Sequence, residues 1–160
     1  MNKKGISAVV ATVLIILITV AAVTIIWAAI IPMIKEQTVG GTTCLDAVSQ
    51  VSIESSGGYT CWRASTGKVE VQVGMGAADF VLGDLQIIIS EAGATESFKQ
   101  SEATVSGDLP LANSEKVLLV TYDAASSTKD PEKVEIAPIV TVGNTEKTCD
   151  VAASAVLPDC

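Results

Sequence analysis

From Ile6 to Ile34 no side chain is charged, and this run of 29 residues constrains the fold more than any other stretch. Lys3, Lys4 and Gly5 stand immediately before it, and Lys35 and Glu36 follow. In hydrocarbon every backbone amide must find its partner within the segment, so an isolated span of this kind is a helix. At 1.5 Å per residue it extends about 43 Å, against roughly 30 Å of bilayer hydrocarbon. Trp27 has the amphipathic ring that suits the headgroup layer. Residues 6–27 amount to about 33 Å of helix, which matches the hydrocarbon. The remainder, through Pro32, projects beyond it, and Pro32 removes one helical hydrogen bond and favours a kink there.

The rest of the chain is acidic. Ten basic residues less Lys3, Lys4 and Lys35 leave seven after the apolar run, against all eighteen acidic ones, a net charge of −11 for residues 36–160. Basic residues on one side of a span stay inside, so the domain that follows is expected outside. Such a surface repels phosphate backbones, and nucleic acid is not an expected partner. At 125 residues this part is long enough for one domain with its own core. All four cysteines, Cys44, Cys61, Cys149 and Cys160, fall in it. An even number in an exported domain reads as disulfides, with three pairings open. Cys44–Cys61 and Cys149–Cys160 are favoured, because each pair brackets a short segment able to turn back. Closing such loops stabilises by about 3 kcal/mol each. A structural zinc is disfavoured, since the chain has no histidine and no CxxC.

After residues 37–43, where Gly40-Gly41-Thr42-Thr43 suggests a linker, the hydropathy pattern changes from helical to alternating. Residues 50–62 read as a hairpin turning at Ser55-Ser56-Gly57-Gly58. Val69-Glu70-Val71-Gln72-Val73 is the cleanest alternation and predicts a half-buried strand. Phe80-Val81-Leu82 predicts a short strand, Gly83-Asp84 a turn, and Leu85-Gln86-Ile87-Ile88-Ile89 a strand buried on both faces. Further strands are expected at Ser97-Phe98-Lys99, at residues 117–122 and at residues 134–140. Pro138 confines the last of these to an edge or a bulge. Residues 145–160 close the chain as a loop held by cysteines. The expected fold is therefore α+β: a long N-terminal hydrophobic helix over residues 6–36, a linker over 37–43, and an antiparallel β-sandwich, Ig-like or pilin-like, over 44–160.

Without histidine no Ser-His-Asp or Cys-His arrangement exists. Gly74-Met75-Gly76 lacks the third glycine and following helix of a dinucleotide site. No spacing of Asp and Asn fits a calcium loop, and Asn2, Asn113 and Asn144 are not in N-x-[ST] context. Asp123, Asp130 and Ser126-Ser127-Thr128 read as solvated loop, and Trp62 as packing. No catalytic residue, metal or cofactor is expected.

Within the apolar run Ser7, Ala8, Ala11, Thr12, Thr19, Ala22 and Ala29 fall on an arc of roughly 140° at 100° per residue. Small residues on one side let helices approach closely. Ile15, Ile18 and Ile26 share the arc, so the stripe is interrupted. No ionisable group lies inside the run, which excludes a proton relay.

Lys3-Lys4-Gly5 followed by Ile6-Ser7-Ala8-Val9-Val10-Ala11-Thr12-Val13-Leu14 resembles the class III signal sequence of archaeal type IV pilins. The resemblance implies cleavage of residues 1–5 by a prepilin peptidase between Gly5 and Ile6, leaving the whole helix on the mature chain. Val10 stands where the bacterial branch has glutamate, and the Ile6-Ser7-Ala8 start is similar to adhesive pilins rather than archaellins. The cysteine arrangement also resembles that of small archaeal pilin-like proteins. The likeness covers about the first fifth of the chain. It implies a homo-oligomeric surface filament polymerised through the helix, with an assembly ATPase and a membrane platform protein as partners and the membrane as the location before assembly. Two other readings share the helix, topology and cysteines: a single-pass anchored extracellular binding protein, and a minor pseudopilin of a secretion or uptake machine.

Overall fold

The computed structural model describes residues 8–77, 80–122 and 130–160, with backbone alone at 35–37. The order of elements is α1 (Ala8–Gln50), β1 (Val51–Glu54), β2 (Cys61–Arg63), β3 (Lys68–Met75), β4 (Leu82–Glu91), β5 (Ala94–Lys99), β6 (Val105–Ser106), β7 (Ser114–Thr121), β8 (Lys133–Val142), β9 (Thr145–Thr148) and β10 (Ala153–Val156). A long N-terminal helix followed by antiparallel sheets is the α+β architecture the sequence predicts. The chain divides into two compact units, Met1–Thr38 and Val39–Cys160.

The helix is longer than its uncharged run. It continues through Pro32 and through the linker expected at 37–43, ending only at Gln50. Hydroxyls of Thr42 and Thr43 donate to the Val39 carbonyl at 3.0 and 2.8 Å, so their polar groups are satisfied within the helix. Gly40 is buried against the β unit, where a larger side chain would need Lys147 to shift by a few tenths of an ångström. A Cβ there would lie 3.3 Å from Lys147 Cδ and 3.8 Å from Val142 Cγ2. The last turns of α1 thus belong to the β unit, where Ala47 packs with Val140 and Cys149.

Two five-stranded antiparallel sheets make up that unit. One has β3 paired with β7, β7 with β6, and both β1 and β2 along the other edge of β3. The hairpin expected over residues 50–62 is therefore absent. β1 and β2 pair with Glu54↔Gln72 and Cys61↔Glu70 on the same neighbour, as two pieces of one interrupted edge strand. Thr60 mends the interruption: its buried hydroxyl donates to the Glu54 carbonyl at 2.6 Å and accepts from Gln72 N–H at 3.1 Å.

The second sheet is built alike. β4 pairs with β5 and β8, and the far side of β8 is shared by β10 and β9. This places Pro138 in an interior strand, whereas the sequence suggests an edge or a bulge. β10 covers residues 133–136 and β9 covers 139–142, so proline falls at the join. Its carbonyl accepts from Cys149 N–H at 2.9 Å on that side, and the missing donor faces the gap between the two short strands. Gly83-Asp84 is likewise not a turn. It is a β-bulge inside β4, where the register to β8 shifts between Leu82 and Asp84.

The core lies between the sheets. Val69, Val71, Val73, Leu118 and Val120 from one meet Leu85, Ile87, Ile89, Val134 and Ile136 from the other, all fully buried. Burying a side chain of this kind contributes about 1.5–3 kcal/mol. From Leu85 to Glu91 the odd positions of β4 are buried and Gln86 and Ile88 are half-exposed, so beyond the bulge that strand has one covered face rather than two. Trp62 packs edge-on against Tyr122 with centroids 5.9 Å apart, and its Nε1–H donates to Asp130 Oδ1 at 3.2 Å. It is core packing, as its place in the sequence suggests.

Candidate assembly surface and its covalent frame

The large apolar side chains from Val9 to Ile34, Ile31 excepted, are 45–70% exposed and surround the helix on every side. A helix apolar all round needs an apolar environment from elsewhere, whether lipid or other helices. α1 is long and apolar enough to cross a membrane, a property shared by spans and by signal sequences. Among the small residues of the predicted stripe, Ala8, Thr12, Thr19, Ala22 and Ala29 are exposed and Ala11 half-exposed. The hydroxyls of Thr12, Thr19 and Thr24 each donate at 2.9 Å to the carbonyl three residues earlier. These threonines are satisfied within their own helix, so at this surface they offer small volume rather than free donors. Lys3, Lys4, Gly5, Ile6 and Ser7, the residues of the expected processing site and the start of the stripe, lie outside the described residues.

The disulfides differ from the favoured pairing. Cys44 is bonded to Cys149 and Cys61 to Cys160, spanning 105 and 99 residues. Short sequence separation makes a loop cheap to close in the unfolded chain, but partners are set by the ladders. β9 delivers Cys149 beside Ala47 on the buried side of α1, next to Cys44. The tail after β10 runs parallel to β2, with Trp62 N–H donating to Pro158 O at 2.8 Å and Cys160 N–H to Trp62 O at 2.9 Å. That places Cys160 and Cys61 with Cα atoms 5.2 Å apart.

Among the described residues one group, Cys61, Glu70 and Cys160, brings three potential metal ligands together. Its sulfurs are joined as a disulfide, and Glu70 accepts from the Arg63 guanidinium at 2.8 Å, so the set is already occupied by bonding. This contact also raises the Arg63 pKa, through the hydrogen bond first and the charge of Glu70 second. Asp84, buried in the bulge, accepts from Leu85 N–H, Ser101 N–H and Ser101 Oγ at 2.7, 3.2 and 2.6 Å. Its carboxylate ties the β5–β6 connection to β4. An open depression of about 590 Å³ beside Gln50, Gly76 and Asn113 gathers amides and hydroxyls with the Glu115 carboxylate, which accepts from Gln72 Nε2 at 2.6 Å. Asp123 and Ser126-Ser127-Thr128 lie outside the described residues.

No protein-family model, curated protein or solved structure matches this chain.

Proposed function

We propose that the chain is a structural subunit of an archaeal type IV pilus-like surface filament, polymerising through its N-terminal helix after removal of residues 1–5. The observation that carries this is the exposure of the apolar side chains between Val9 and Ile34 on every side of one helix. Exposing such a helix to water costs about 0.8 kcal/mol per CH₂. It can leave the bilayer only if the same surface is reburied at once, against copies of itself. The stripe at Ala8, Ala11, Thr12, Thr19, Ala22 and Ala29 lets neighbouring helices approach, and an uncharged length leaves no buried ion to compensate. The acidic, doubly cross-linked β unit would form the outside of the polymer. In this reading a prepilin peptidase recognises Lys3, Lys4, Gly5 and Ile6, and an ATPase with a platform protein drives extraction. The filament lies on the cell surface, and the subunit waits in the cytoplasmic membrane. No enzymatic role is assigned to it.

The basic-to-apolar step at Gly5 separates this reading from a permanently anchored binding protein, which has no use for a peptidase there. Replacing Gly5 with leucine should leave residues 1–5 attached and remove surface filaments. Filaments of normal length and number from Gly5→Leu cells would contradict the proposal.

A further inference from the structure

The β unit carries an apolar hollow of about 250 Å³ between the last turns of α1 and the segment after β9. Gly41, Cys44, Leu45 and Val48 line it from the helix, at the spacing of one helical face, and Cys149 and Asp150 line it from the other side. Gly41 has no explanation inside the chain. Glycine is among the poorest residues for a helix interior, and a Cβ at 41 would meet nothing within 4 Å. Gly40 next to it is buried, and a Cβ there would lie a tight 3.3 Å from Lys147 Cδ. Leu45, one turn further along, stands 73% exposed at the rim.

We propose that this hollow receives the apolar helix of a second copy, with Gly41 letting the two backbones come close and Leu45 packing beside the incoming side chains. The inference rests on the filament reading and specifies its contact surface. Charge selects the occupant. Residues 39–160 carry seven basic and seventeen acidic side chains, so the same unit of a second copy would meet like charge. Residues 8–34 are uncharged, and their large side chains, Ile31 excepted, are 45–70% exposed. They can enter without burying an unpaired charge. Lys147 and Asp150 at the same hollow are of opposite sign, which leaves its rim balanced for a neutral partner.

The test places a photoreactive benzophenone amino acid at position 45 of the full chain. This copy is supplied as a minor fraction among unmodified, isotopically heavy copies in native cells, so that heavy–light adducts report contacts between subunits. Irradiated filaments should yield adducts from position 45 to residues 8–34 of a heavy copy. Gly41→Leu, which fills the hollow, should lower filament yield at least tenfold, with thermal unfolding and both disulfides unchanged. Adducts confined to the β unit of another copy or to lipid, or no adduct from intact filaments, would overturn the inference while leaving the filament reading in place. Normal filaments from Gly41→Leu would overturn it too. Unmodified cells that make no filament of this chain would overturn both.

Discussion

Tyr122 shows what single residues contribute to the β unit. Its ring lies between Trp62 and Phe98, and its hydroxyl donates to Glu91 Oε2 at 2.7 Å. Burial first, and Glu91 second, raise its pKa above the ordinary value near 10. The folded state then holds the phenolic proton more tightly than the unfolded one. The corresponding stability is fully present below about pH 10 and is lost as pH rises from there towards the folded value. In urea titrations, the difference in stability between the parent and Tyr122→Phe should be constant from pH 7 to 9 and shrink above 10. At pH 7 the variant should be less stable by about 1–2 kcal/mol. A difference that stays constant to pH 11 would contradict this account. The alternation of Val69, Val71 and Val73 announced a buried face in the sequence, and these residues are fully buried. Thr60 and Asp84 gave no such signal. Short polar side chains look alike whether solvated or buried, and the partners here, Gln72 and Ser101, are 12 and 17 residues away.

At the scale of elements, the long apolar strands were legible, but their pairing was not, and residues 145–160, expected as a loop, hold the short, mostly exposed strands β9 and β10. Period-two hydropathy marks a strand but says nothing of its neighbour, so β1 and β2 looked like a hairpin although both pair with β3. Glycine and proline misled for a related reason, since each fits several geometries. Gly83 reads as a turn, yet it is the bulge where β4 passes close to β8, and a Cβ there would lie 2.6 Å from Thr141 Oγ1 and 3.4 Å from Ile139 O. The hydroxyl can rotate away but the carbonyl belongs to the ladder. Gly83→Val should therefore destabilise by about 1–3 kcal/mol in urea unfolding, whereas an unchanged midpoint would mean that the bulge has room to spare. The helix was found from its lack of charge, and its extension to Gln50 was hidden because the packing that stabilises it comes from Lys147, Val142 and Cys149, about 100 residues later.

For the whole molecule, the two disulfides interleave, Cys44 with Cys149 and Cys61 with Cys160. Each spans about as many residues as the unit itself, a separation for which cross-linking contributes about 4–5 kcal/mol in the chain-entropy picture. Peptide mapping without reduction should recover these two pairs, and replacing both Cys44 and Cys149 with alanine should lower stability by about 2–5 kcal/mol. Recovery of Cys44–Cys61 would refute the strand placement of the C-terminal tail. The same frame suits a subunit whose β unit faces the outside while its helix is held among copies. That account turns on whether residues 1–5 are removed and the helix kept. The most direct measurement is the N-terminal residue and intact mass of the chain in filaments sheared from native cells. The account predicts a chain in the filament fraction that begins at Ile6 and retains the helix. A chain that begins at Met1 and stays in the membrane fraction would contradict it.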